Sequence, residues 1–293
     1  MRRRDLLAAG VTPDEIRQRL HAGALVPVRR GAYRSGPLPG DPVARHVLGV
    51  RAAVRDLAAG HVASHVSAAA LHGLAIWNVP LARVQLTRDR RSGARRTSCL
   101  DVHAAALAPD EVTVVAGVAV TSVARTVADL ARSVPFEQAV VIADSALRRV
   151  LPADLWAALE RAPHRPGNPR ARRVLRFADG RSEIAVESSS RVALHVAGLP
   201  PPELQWTVLA ADGRELGRAD FAWCDLRTVG EFDGRVKYGR LLRPGQEPGD
   251  VVFAEKVRED AIRAEGLHVA RWTWPELERF ATVAARIRRG FPS

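Results

Sequence analysis

A chain of 293 residues, 47% hydrophobic and 26% charged, has room for two or three domains and enough apolar content for a packed core, which excludes a disordered tail. Two cysteines, Cys99 and Cys224, are too few for a disulfide framework and lack the spacing of a zinc site, in keeping with a reducing cytoplasm, and no apolar run approaches the roughly 18 residues of a membrane span. The net charge of +12 belongs to residues 1–173, where 26 arginines face 14 acids, while residues 174–293 balance 18 basic against 18 acidic side chains. A basic first part is the electrostatic footprint of a nucleic-acid partner. G-x-S-x-G, H-E-x-x-H, Walker and dinucleotide-glycine patterns are all absent.

In chain order, residues 3–9 read as a short helix stopped by Gly10. Thr12, Pro13 and Glu15 then spell a capping box with proline at the first helical position, opening a second helix that runs to residue 22. Residues 25–28 and 32–34 read as two strands about Arg29-Arg30-Gly31. Helix, tight turn, capped helix and basic hairpin is the plan of a winged helix-turn-helix over residues 1–36. In that plan Arg17, Gln18 and Arg19 enter a major groove, and Arg29 and Arg30 on the wing hold phosphates.

The segment LLAAGVTPDEIRQRLHAGALVPVRRGAYRSG resembles the N-terminal domain of AbiEi-type antitoxins of type IV toxin–antitoxin systems. The resemblance implies a winged-helix repressor that binds its own promoter, with a cognate toxin protein as a further partner. It also implies one more helix ahead of residue 3, which this sequence does not contain.

A linker at Pro37, Pro39, Gly40 and Pro42 opens an α/β middle domain over residues 37–165. Residues 43–59 read as a helix, and Ser64 caps another that runs to His72. Residues 83–87 and 100–103 alternate as strands. The loop between them, with Arg88, Arg90, Arg91, Arg95 and Arg96 against the single acid Asp89, suits a phosphate backbone. Residues 112–121 read as a hairpin about Gly117, followed by helices at 123–133, 136–150 and from 152. ASHVSAAALHGL and GVAVTSVARTVADLAR extend the AbiEi resemblance to about half the chain. His61, His65 and His72 have helical spacing but no thiol or carboxylate beside them, and read as packing residues. Asp129 and Asp144 read as surface or capping residues, and residues 165–176, broken by two prolines and a glycine, as a basic linker.

From residue 174 three acids stand out. Glu187 lies on a helix whose Val192, Val196 and Leu199 face inward. Asp220 and Glu231 lie in two strand-like segments about a turn at Asp225-Leu226. A hairpin centred on that turn sets Asp220 directly opposite Glu231, where like charges repel unless a divalent cation bridges them. Asp233 shares the face of Glu231. This order resembles the PD-(D/E)XK nuclease superfamily, and within it the small Vsr-like endonuclease domains. The resemblance implies a mixed sheet flanked by helices over residues 174–293. It also implies Mg²⁺ or Mn²⁺ held by Asp220, Glu231 and Glu187, and metal-assisted phosphodiester hydrolysis. EKVREDAIRAEGLHVARWTWPEL matches the closing helix and strand of that fold, with Arg258, Asp260 and Arg271 at recurring polar positions. The sequence departs from the pattern where the family's lysine becomes Asp233, so the cation that stabilises charge comes from elsewhere, Lys237 or Lys256 being the candidates. The expectation is an α+β, cytoplasmic DNA-binding protein with no membrane partner and a Mg-dependent endonuclease domain. The alternatives are a non-enzymatic repressor of antitoxin type with a degenerate nuclease fold, or a protein that neutralises a toxin by direct contact.

Overall fold

A computed structural model describes residues 1–57, 60–234 and 248–292, without the side chains of 248–252. The protein is of mixed α+β class. Its chain divides into two compact units, Met1–Ala178 and Asp179–Ser293.

The N-terminal unit begins with α1 (Arg3–Ala8), α2 (Pro13–His21), β1 (Leu25–Arg29) and β2 (Ala32–Ser35). The capping box forms as expected. The Thr12 hydroxyl accepts the Glu15 N–H at 3.2 Å, and the Glu15 carboxylate accepts the Thr12 N–H at 2.7 Å. Leu6, Ile16 and Leu25 close a small apolar cluster with Val11, Leu20 and Tyr33. Gly31, at φ +77°, makes the turn between the two antiparallel strands.

Next come α3 (Pro42–Asp56), β3 (His61–Ala63), α4 (His65–His72), β4 (Val84–Arg88), β5 (Arg95–Arg96), β6 (Leu100–Ala104), β7 (Val112–Val115) and β8 (Val118–Thr121). Asp41 caps α3 through the Val43 and Ala44 N–H groups. The strands form a six-stranded mixed sheet in the order β5-β6-β4-β3-β8-β7, parallel at β6/β4 and β3/β8. Against it pack Val50, Ala53 and Ala68 from the helices. Arg95 and Arg96, expected in a loop, form the edge strand β5, whose backbone pairs with Asp101 and Val102.

Four helices complete this unit: α5 (Val123–Ser133), α6 (Phe136–Leu147), α7 (Pro152–Glu160) and α8 (Asn168–Phe177). The last overturns the reading of residues 165–176 as a linker. Ala171, Val174 and Leu175 recur at helical spacing and are buried, and Pro169 falls in the first turn, where a missing N–H costs nothing. Gly167 makes the entry possible. At φ +91°, its hydrogen faces the Arg132 carbonyl, and a Cβ there would lie 2.6 Å from that oxygen.

The C-terminal unit runs α9 (Ala185–Val196), β9 (Glu203–Leu209), β10 (Glu215–Trp223), β11 (Thr228–Phe232), α10 (Pro248–Ala264), β12 (His268–Trp272), α11 (Trp274–Leu277) and α12 (Ala281–Gly290). Its four-stranded sheet has the order β12-β11-β10-β9, an antiparallel meander with β12 added parallel to β11. Phe221, Trp223 and Trp272 pack with Val186, Leu194 and Ile287, while Val229 and Val269 pack with Ile262 of α10. Val192 and Leu199 are buried as expected, but Val196 is 74% exposed, because the buried stripe of the helix runs through Val186, Ser190 and Leu194 and Val196 falls outside it.

Candidate functional site

The β10–β11 register pairs Phe221 with Gly230, Ala222 with Val229 and Trp223 with Thr228. Continued by one residue, this register sets Asp220 across from Glu231, as the turn position predicts. The two carboxylates nevertheless have different partners. Asp220 accepts the backbone N–H of Phe232 at 2.9 Å. Glu231, buried, receives Arg258 of α10 and its parallel-strand neighbour Arg271, each at 2.8 Å. Glu255 and Glu259 in turn hold the two arginines, with Glu255 bridging both and Glu259 meeting Arg271 at 3.1 Å. Burial raises the Glu231 carboxyl above its ordinary range, and the two guanidinium charges work against that rise.

Glu187 stands in the first turn of α9, buried. One of its oxygens accepts the Glu183 N–H at 2.7 Å and the Gln205 side-chain amide at 2.9 Å. Burial pushes its carboxyl up, the Glu183 N–H opposes this, and the negative charge of Asp220 adds to the rise. Glu187 and Asp220 therefore lie in each other's field, with Gln205 of β9 alongside. Gln205 was not legible in the sequence. It adopts a left-handed backbone at φ +54°, a conformation that costs on the order of 1 kcal/mol for a side chain of this type and is kept where its surroundings fix it. Asp233 follows β11 and donates its N–H to the Trp272 carbonyl, half-buried. Lys256 lies on α10, exposed, and Lys237 lies outside the described residues. Among the described residues no three histidine, cysteine or acidic side chains gather as a metal-ligand group. The carboxylates open to a divalent cation are the like-charged Glu187 and Asp220, with Glu231 engaged by arginines.

In the N-terminal unit, Arg17, Gln18 and Arg19 are exposed on α2, Arg17 paired with Asp14. Arg30 is exposed on the hairpin. Arg29 is turned back, 3.5 Å from Asp56, with its side chain 19% exposed. Arg90, Arg91, Arg95 and Arg96 are all exposed, Arg96 standing 3.7 Å from Asp101.

A second constellation, which the sequence reading placed at the surface, is deeply buried. Asp129 on α5 is 2% exposed and Asp144 on α6 is fully buried. Asp129 receives Arg125 at 2.8 Å, Arg132 at 3.1 Å and Arg165 at 2.9 Å. Arg125 also reaches Glu111 at 2.8 Å. Burial works against ionisation of Asp129, and the fields of His65, Arg125 and Arg165 with the Arg125 hydrogen bond outweigh it, holding the carboxyl below its ordinary range. Beside them His65, at φ +50°, stacks on His103 with ring centres 3.9 Å apart, while the His72 ring N–H bonds the Thr121 carbonyl at 2.8 Å. The spacing of Arg125, Asp129 and Arg132, at i, i+4 and i+7 on one helix, is the sequence signal that points to this network.

No family signature matches the chain. Two relatives do, the uncharacterized protein Rv2248 of Mycobacterium tuberculosis H37Rv and the uncharacterized protein MT2308 of M. tuberculosis CDC 1551. Each is 33% identical over 226 residues, 76% of this chain and 79% of the relative. At that identity and coverage the chain belongs to one family with these two mycobacterial proteins.

Proposed function

We propose that the chain is a DNA-binding protein of AbiEi-like type whose C-terminal unit, Vsr-like in plan, cleaves DNA with Mg²⁺ or Mn²⁺. The observation that carries the cleavage is the pairing of Glu187 and Asp220. A buried carboxylate whose proton affinity a second carboxylate raises, beside an oriented amide, makes with that neighbour a suitable oxygen pair for a hard dication. The order of helix, three-stranded meander, helix and parallel fourth strand supports the same reading. A metal bound there supplies a nucleophilic water and neutralises charge on the phosphodiester. Glu187 and Asp220 would hold it. Gln205 orients Glu187, and the Phe232 N–H orients Asp220. Arg258 and Arg271 stand on Glu231, where a cation near the scissile phosphate is useful in place of the missing lysine. The helix, hairpin and sheet-edge arginines Arg17, Arg19, Arg30, Arg95 and Arg96 supply sequence-independent phosphate contacts, with Gln18 positioned on the same helix as Arg17 for base edges.

A second reading rests on the arginine clamp. With Glu231 neutralised by two guanidinium groups, the unit also suits a non-enzymatic repressor of antitoxin type, partnered by a toxin. Plasmid incubated with the full chain and Mg²⁺ or Mn²⁺, beside Asp220→Asn and Glu187→Gln variants, separates the two. Nicking by the wild type and its loss in both variants is expected. Intact plasmid with every protein, together with a gel shift, sinks the nuclease and leaves the repressor.

A further inference from the structure

The buried Asp129 network forms the floor of a cavity of about 500 Å³ in the N-terminal unit, a size within the range of small-molecule sites. Its walls come from the β4–β5 loop, the end of β6, the 109–111 turn, α5 and α7. Among the described residues six arginines line it, Arg90, Arg91, Arg125, Arg132, Arg161 and Arg165, with Glu111 the one acidic lining residue. Four of these arginines are anchored, Arg165 by Asp129 at 2.9 Å. Arg132 gives Nε to Asn168 at 2.7 Å and its other nitrogens to Asp129 and the Leu159 carbonyl. Arg125 is held by Asp129, Glu111 and the Ala106 carbonyl. Arg161 forks onto Asp110.

Charge does not close on itself here. Arg125, Arg132 and Arg165 converge on the two carboxylates Asp129 and Glu111, leaving the floor one positive charge in excess. At the rim Arg90 and Arg91 add two more, both exposed, and no ion pair or side-chain hydrogen bond joins them to another described residue. Neighbouring Asp89 accepts the Leu107 N–H at 3.2 Å and pins the loop that carries them. A concave site with a rigid, satisfied floor and free guanidinium groups at its mouth is organised for a compact anion of several charges. Next to it, His65 holds a left-handed backbone although it is not glycine, and strain of that kind gathers at binding sites.

We propose that this cavity binds a small phosphorylated ligand of mononucleotide size, with Arg90, Arg91 and Arg165 donating to its phosphates, on a unit that otherwise holds DNA. The Arg90 and Arg91 pair is thereby separated from Arg95 and Arg96 on the sheet edge. The occupant is a small molecule because the phosphate-binding groups line a recess rather than a continuous ridge.

The test titrates the full chain with inorganic pyrophosphate and with ADP at low salt, followed by calorimetry and by thermal melting. Wild-type protein is expected to bind and to gain melting temperature. Arg90→Ala/Arg91→Ala should weaken binding by at least about tenfold, as the loss of charge-assisted bonds to phosphate does. Arg165→Met should weaken it as well, its fold being checked by the unliganded melt. Arg95→Ala/Arg96→Ala should bind as the wild type does. Absence of binding in the wild type, or equal losses in the two double variants, overturns the proposal. So does competition in which a short DNA duplex displaces pyrophosphate and loses affinity for the Arg90→Ala/Arg91→Ala protein by the same factor, because the recess is then a nucleic-acid groove.

Discussion

Glu231 and Arg271 face each other across the parallel strands β11 and β12, register partners whose side chains meet at 2.8 Å. Arg271→Met leaves Glu231 with Arg258 alone. A fully buried broken pair costs roughly 3–5 kcal/mol; Arg271 is a quarter exposed, so the expected loss is smaller, about 2 kcal/mol. Chemical denaturation measures it. Adding Glu231→Gln should recover part of the loss, and a double variant whose effects are simply additive would show that the pair is not coupled.

Glu187→Gln tests the buried carboxyl. Its folded pKa is raised above the ordinary 4.5, so the folded state binds the extra proton. Stability from this group is then greatest at low pH and falls as pH rises from about 4.5 through the folded value. The amide removes that slope and keeps an oxygen for the Glu183 N–H. Thermal melts across this window should show a flatter profile in the variant and a melting temperature at neutral pH no lower than that of the wild type.

His65 has the opposite sign. Burial pushes its imidazole down to about 3 from an ordinary 6.5, and burial lowers His103 as well. Asp129, His103, Arg165 and Arg125 all act on the His65 ring. The neutral ring contributes stability that is fully present above pH 6.5 and is lost as the solution is acidified toward 3, at up to about 1.4 kcal/mol per pH unit. His65→Asn, which tolerates the left-handed backbone, should lower stability at pH 8 and weaken the acid dependence. An unchanged acid limb would assign that dependence to other groups.

Gly230 has its Cα hydrogen against the Trp272 ring, where a Cβ would sit 2.8 Å from the ring and 3.3 Å from that of Trp223. Trp272 cannot retreat, because it is fully buried and its indole N–H bonds Ser190 at 2.9 Å. Gly230→Ala should destabilise by about 1–3 kcal/mol through overpacking, read by urea denaturation.

Arg30 and Arg29 are neighbours with different surroundings. If Arg30 meets phosphate, Arg30→Ala lowers the slope of log affinity against log salt by about 1 in gel shifts, and Arg29→Ala, whose guanidinium is held near Asp56, changes it less.

What was legible in the sequence was local. Thr12 and Glu15 announce their helix because both halves of the capping box lie three residues apart, and the turn at Asp225-Leu226 sets a register that decides which residue faces Asp220. α8 was hidden because its exposed positions are nearly all arginine and two prolines flank its start, so three apolar side chains carried the whole periodic signal. Asp129 was misplaced for a different reason. Two of its partners share its helix, but Arg165 is 36 residues away, and burial of a carboxylate depends on their combined charge. The partners of Glu187 and Glu231 are Gln205, Arg258 and Arg271, which come from three other elements and which no local spacing announces.

Gly167 turns this unit into something that can be read in any relative. The residue touches the backbone of Arg132, one helix position from the end of the segment that holds Asp129, and Arg132 itself reaches forward to Asn168. A homologue with a side chain at that position meets the Arg132 backbone and has to begin its eighth helix differently, displacing Asn168, which holds the Arg132 guanidinium. Position 167 therefore reports, from one letter of sequence, whether a family member can start α8 against α5 as this chain does.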